Sequence, residues 1–144
     1  MKIYTLDSIL INNIFIKEHD MPHSIVADKS LEFAKNIITL YKKLTFKDQE
    51  YTMSKQILRS GTSIGANITE ALKAQSKKDF LSKIYISLKE TSETEYWLKL
   101  LSTADYIEPE QSKKLLQDCQ ELSKILTAII KTTKLNLKQK KKLV

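Results

Sequence analysis

The chain has 144 residues, the length of one domain, and 42% of them are apolar and 28% charged. Two glycines and two prolines are too few for the tight turns of sandwiches, barrels or doubly wound sheets, and they exclude a glycine-rich phosphate loop. A single cysteine, Cys119, excludes a disulfide framework and a multi-cysteine zinc site. Long helices remain.

The net charge of +7 is unevenly placed. Residues 131–144 carry Lys131, Lys134, Lys138, Lys140, Lys141 and Lys142 and no acid, which leaves the first 130 residues almost balanced. Such a tail is an electrostatic handle for phosphate-rich partners, or simply a solvated end.

Residues 1–20 are apolar but interrupted by Asp7, Asn12 and Asn13. They make a poor signal peptide, and the uncharged run from Ser8 to Ile16 is far short of the ~20 residues of a membrane span. The expectation is a cytoplasmic protein with no membrane partner. Residues 1–23 read as an extension outside the core, with Met21 as a second possible start.

From Ser24 onward the helical period dominates. The first helix is expected over about 28–44, with Asp28 as N-cap and Leu31, Ala34, Ile37, Ile38, Tyr41 and Leu44 on its inner face. The second runs from near Asp48 to about Ala74, with Met53, Ile57, Ile64, Ile68 and Ala71 or Leu72 inward. Ser76 to Asp79 resembles a capping box and opens a third helix reaching about Ala104, with Phe80, Leu81, Ile84, Leu88 and Leu98 inward. Pro109 suits the first position of a fourth helix, whose stripe is Leu115, Cys119, Leu122, Leu126, Ile129 and Thr133. The fold class is therefore all-α, an antiparallel up-and-down four-helix bundle over residues 24–133, with a lysine-rich tail over 134–144.

Several residues do not fit a plain bundle. Gly61 and Gly65 each cost about 1 kcal/mol against alanine in a helix interior, so together they point to a close backbone approach. Arg59, Ser63, Asn67 and Glu70 form a polar ridge beside the apolar stripe of the second helix, better explained if it faces protein than water. On the third helix Glu95 lies within about 20° of the line through Ile84 and needs a partner, with Arg59 the first choice. Glu93 lies on the opposite side. Beyond Glu95 the apolar face widens through Tyr96, Trp97, Leu100 and Leu101, more than four helices can cover. Gly61, Gly65, Trp97 and Leu101 are thus candidate oligomer contacts, and Arg59, Ser63, Asn67, Glu70, Glu93 and Glu95 a structural polar network.

These blocks also carry a resemblance. Gln56 to Ala71, Ser76 to Phe80, Tyr85 to Leu88 and Ser92 to Glu95 are similar, in order and spacing, to the 23S rRNA-intervening-sequence protein family of four-helix-bundle proteins, over about residues 24–133. Two positions depart from the family pattern, Gly65 where proline is frequent and Ala71 where glycine is, and both stay small. The resemblance implies a bundle assembled as a ring, typically a homopentamer, and genes sometimes lodged within large-subunit ribosomal RNA genes. Related bundles act as accessory factors that bind nucleic acid and a reverse transcriptase. It brings no catalytic residue.

The leading functional expectation is a non-enzymatic, oligomeric nucleic-acid-binding or scaffold protein, RNA favoured, gripping phosphates through Lys77, Lys78, Lys131, Lys134, Lys138, Lys140, Lys141 and Lys142 repeated around the oligomer. The alternative is an adaptor that docks a larger enzyme such as a reverse transcriptase, without touching nucleic acid itself. A di-metal carboxylate site would need inward Glu-x-x-His pairs, and His19 and His23 both precede the bundle. Glu93 and Glu95 diverge by about 160°, so they make no catalytic pair. Neither a metal nor a cofactor is expected.

Overall fold

A computed structural model describes residues 25–143. The expectations for residues 1–23, including His19 and His23, lie outside the described residues. Four helices follow one another: α1 (Ile25–Phe46), α2 (Met53–Ala71), α3 (Lys77–Thr103) and α4 (Pro109–Lys142). Each packs on its neighbours in sequence and α4 closes back on α1, as in an antiparallel up-and-down bundle. The α2–α3 contact is the most extensive and the α4–α1 contact the thinnest.

The helix ends show how the chain turns with so few glycines. Both glycines sit inside α2, and the left-handed positions fall to Gln49 (φ 53°) and Asp105 (φ 60°). After α3, the Tyr106 amide donates to Leu101 O at 2.9 Å, a Schellman closure in which aspartate replaces the usual glycine. The start of α2 is capped by Glu50. Its carboxylate accepts the Thr52, Met53 and Ser54 amides at 2.9, 2.9 and 2.7 Å, which places the helix start later than Asp48. Ser76 caps α3 as expected, accepting the Asp79 amide at 3.0 Å. Pro109 occupies the first turn of α4. Because α1 begins at Ile25, Asp28 lies in its first turn rather than at its cap.

The core contains Phe33, Ile37, Leu40 and Leu44 of α1, Ile57, Ile64 and Ile68 of α2, Ile84, Leu98 and Leu101 of α3, and Leu122, Leu126 and Ile129 of α4. Two inner faces differ from expectation. On α1 the buried apolar residues are Val26, Phe33, Ile37, Leu40 and Leu44, while Leu31 is 65% and Ile38 39% exposed. On α3 the buried line runs Ile84, Ser87, Thr91, Thr94, Leu98, Leu101, alternating steps of three and four. Its hydroxyls are all bonded. Ser87 donates to Ile64 O across the α2–α3 seam at 2.9 Å, Thr94 and Ser60 meet at 2.9 Å, and Thr91 bonds back to Leu88 O. A hydroxyl satisfied in this way is buried at little cost, so the stripe centres about 50° from the line through Ile84.

That rotation overturns one pairing. Glu95 does not meet Arg59. It flanks the seam on the α4 side, where Lys99 Nζ lies at 2.7 Å and Gln120 donates to it at 3.3 Å. Arg59 instead pairs with Glu90 at 3.3 Å and with Glu93, both on the α2 side of α3. Leu101, expected to be left wet by four helices, is 0% exposed within the chain's own bundle. The two glycines face α1 of the same chain: a β-carbon on Gly61 would meet Ile37, and one on Gly65 would meet Ser30. Their small size is used inside the bundle.

Candidate nucleic-acid interface

Helix α4 does not end at the bundle's expected limit. It continues unbroken to Lys142, so Lys134, Lys138, Lys140, Lys141 and Lys142 stand on a helix rather than on a separate tail. After Glu121 the chain contains no acid, and α4 contains no aromatic ring along its whole length. Lys131, Lys134, Lys138, Lys140, Lys141 and Lys142 are all exposed. Helices α3 and α4 are antiparallel, and the Lys134 ammonium lies 5.0 Å from the centroid of the Tyr85 ring. The start of α3, with Lys78 exposed and Lys77 half-buried, therefore shares one end of the bundle with the α4 lysines. In the sequence Tyr85 enters only as part of a family block, with no role of its own; the contact with Lys134 exists only once α3 and α4 are aligned.

The polar ridge of α2 occupies the rim of the α2–α3 seam. Arg59 reaches Glu90 and Glu93, Glu70 pairs with Lys83 at 2.6 Å, and Ser63 and Asn67 bond back to Arg59 O and Ser63 O at 2.6 and 2.8 Å. The ridge is three ion pairs, two of them on Arg59, joined by local bonds rather than one continuous network. Trp97 extends it, its indole N–H donating to Glu93 at 3.2 Å while its ring meets Tyr96 edge-on at 5.0 Å. The hydrogen bond from Arg59 holds the Glu93 carboxyl below its usual range, with the Trp97 bond helping against partial burial. Arg59 is raised in turn, first by Glu93. Glu95 is lowered chiefly by Lys99 and then by Gln120.

The one cysteine is not placed for covalent chemistry. Cys119 is fully buried, its thiol donating to Thr91 O at 3.3 Å, and burial pushes it up to about 12. Such a thiol is not a nucleophile at neutral pH. Among the described residues no three His, Cys, Asp or Glu side chains converge as a metal site. A cleft of about 370 Å³ opens between α1 and α4, but its walls are occupied by their own pairs, Lys29 with Glu121 at 2.8 Å and Lys114 with Asp118 at 2.5 Å. No helix of the described residues is long and apolar enough to cross a membrane.

The chain matches the family model described as 23S rRNA-intervening sequence protein over residues 23–128. A solved structure from Bacteroides thetaiotaomicron, described as a protein of unknown function from the S23 ribosomal protein family, is similar to it. The two share 57% identity with a TM-score of 0.74, over 74% of this chain and 99% of that one. No curated protein matches the chain. The same four-helix architecture and a family match across most of the bundle lead to one conclusion: this chain belongs to the 23S rRNA-intervening sequence protein family.

Proposed function

We propose that this protein is a non-enzymatic, oligomeric nucleic-acid-binding protein of the cytoplasm, with RNA as the favoured ligand. The observation that carries the reading is the acid-free lysine surface of α4 after Glu121. Lysines without neighbouring acids attract phosphates over several ångströms and release condensed counterions on binding. A single subunit offers few contacts, and a ring of subunits, five in the family-based expectation, would multiply them. Self-association is supported by apolar side chains that the bundle leaves outside: Leu31 and Ile38 on α1, and Ile86, Tyr96 and Leu100 on α3. Trp97 borders the α3 patch and is a natural anchor for it. The only arginine, Arg59, is held by Glu90 and Glu93, so bidentate base reading is not favoured and binding should be sequence-tolerant.

The test is binding of the full chain to a structured RNA across a salt series. Affinity should fall steeply with salt, and converting Lys131, Lys138, Lys141 and Lys142 together to glutamine should reduce both affinity and salt slope. Salt-independent binding, or binding untouched by these changes, refutes the electrostatic account. Mass in solution tests the assembly: the pentamer predicts five times 16.6 kDa, and a monomer at micromolar concentration refutes it. If the protein recovers a larger enzyme from extract after nuclease treatment and binds no RNA alone, the adaptor reading replaces this one.

A further inference from the structure

We infer that the seat for nucleic acid is the outer face shared by α3 and α4, and that its ligand is double-stranded RNA. The inference rests on the nucleic-acid reading above and adds to it the face, three further lysines and the form of the ligand.

Two contacts mark where the edges of α3 and α4 meet: Lys134 over the Tyr85 ring at 5.0 Å, and Gln120 donating to Glu95 at 3.3 Å. Residues three, four or seven positions from these anchors share their edges. Among the residues so placed are Lys78, Lys89 and Lys99 on α3 and Lys124, Lys131 and Lys138 on α4. All six are exposed. Lys89, Lys99 and Lys124 were not recognised from the sequence, because each is separated along the chain from the lysine run and joins it only across the α3–α4 seam. Glu95 is the one acid on these edges, engaged by Lys99 and Gln120, so Lys99 would have to exchange that exposed pair for a phosphate.

The α3 row advances 21 positions from Lys78 to Lys99, about 30 Å of helix, on the scale of one duplex turn. Two packed helices place their rows about 10 Å apart. Two neighbouring rows of cations suit two phosphate backbones flanking a wide, shallow groove, which is the minor groove of A-form RNA. The B-DNA minor groove, ~6 Å wide, is too narrow for both rows, and its major groove, ~12 Å wide, is ~8.5 Å deep, so that a helix enters it rather than straddling it. A single strand would need a row of rings on which to stack its bases. Here α4 supplies none, Tyr85 is covered by Lys134, and Tyr96 is turned edge-on to Trp97.

The experiment measures fluorescence anisotropy of the full chain with a duplex RNA of about 16 base pairs, the same length of single strand, and the matching duplex DNA, between 50 and 200 mM salt. Duplex RNA should bind at least about tenfold more tightly than either competitor. The double variant Lys89→Glu, Lys124→Glu should lose about tenfold or more in duplex affinity and lower the log–log salt slope by about 2. The arginine pair Lys89→Arg, Lys124→Arg should bind like the parent, and circular dichroism should show both variants folded. Unchanged affinity in the glutamate pair, with loss in Lys140→Glu, Lys141→Glu, Lys142→Glu, would place binding at the helix end alone and overturn this inference while leaving the general reading intact. Equal or tighter binding of single strand or of duplex DNA overturns the choice of ligand. Failure to bind any of the three at 50 mM salt overturns the nucleic-acid reading itself.

Discussion

Replacing Gly61 with alanine tests the close approach of α2 to α1. The added methyl would stand 2.9 Å from Ile37 Cγ1, 3.0 Å from its Cγ2 and 3.3 Å from its Cβ, well inside ordinary carbon–carbon contact. Ile37 is 0% exposed and β-branched, so one χ1 rotamer dominates in a helix and the γ carbons cannot swing aside. Alanine contributes about 1 kcal/mol through helix propensity, whereas overpacking a filled core costs about 1–3 kcal/mol. With two γ carbons in the way the upper half of that range applies, and the net expectation is a loss of about 1–2 kcal/mol. Urea unfolding followed by circular dichroism reads it directly. In an Ile37→Ala background the two γ carbons are gone and only the Cβ, at 3.3 Å, remains, so the same substitution should stabilise by up to about 1 kcal/mol. The double-mutant cycle should therefore show a coupling of about 2–3 kcal/mol. At Gly65 the nearest atom is the Ser30 hydroxyl oxygen at 3.0 Å, which can rotate, and Gly65→Ala should be nearly neutral. If Gly61→Ala stabilises the parent protein, or costs the same in both backgrounds, the close packing of α2 on α1 is refuted.

Ser87→Ala should lower stability by about 1 kcal/mol in urea melts, since it removes the hydrogen bond to Ile64 O across the α2–α3 seam; an unchanged midpoint would show that the bond adds nothing. Glu50→Ala should cost about 1 kcal/mol by uncapping α2. Burial opposes ionisation of Glu50, but the Met53, Ser54 and Thr52 amides outweigh it and hold the carboxyl below its usual 4.5. Its contribution is thus complete above about pH 4.5 and is lost as pH falls through the lower folded value, so the difference between parent and variant should shrink in acid melts. Cys119 should resist a thiol reagent at pH 8 in the folded protein and react fully in denaturant, because it is buried and shifted up to about 12. Rapid labelling of the native chain would contradict that burial.

The number and order of the helices, the Ser76 cap, the proline start of α4 and the apolar stripes of α2 and α4 were all legible in the sequence. Each depends on residues within one or two turns of one another: a hydroxyl three positions before an amide, a proline whose missing N–H is harmless, an apolar side chain every third or fourth place. The lysine run of α4 was legible for the same reason, although not its continuation as one helix to Lys142.

The rotation of α1 and α3 about their own axes was decided only by packing. Leu31 and Ile38 are as apolar as Phe33 and Leu40, and hydropathy alone cannot say which pair faces in. On α3 the buried line passes through Ser87, Thr91 and Thr94, whose hydroxyls bond to helix carbonyls and so enter the core as small side chains. That phase moved Arg59 from Glu95 to Glu90 and Glu93. It also set Tyr85 of α3 against Lys134 of α4. Local sequence sets whether a segment is helical, through backbone bonds that close within four residues. Which face turns inward follows from filling a shared volume without gaps or unbonded polar groups, a condition that all four helices meet together.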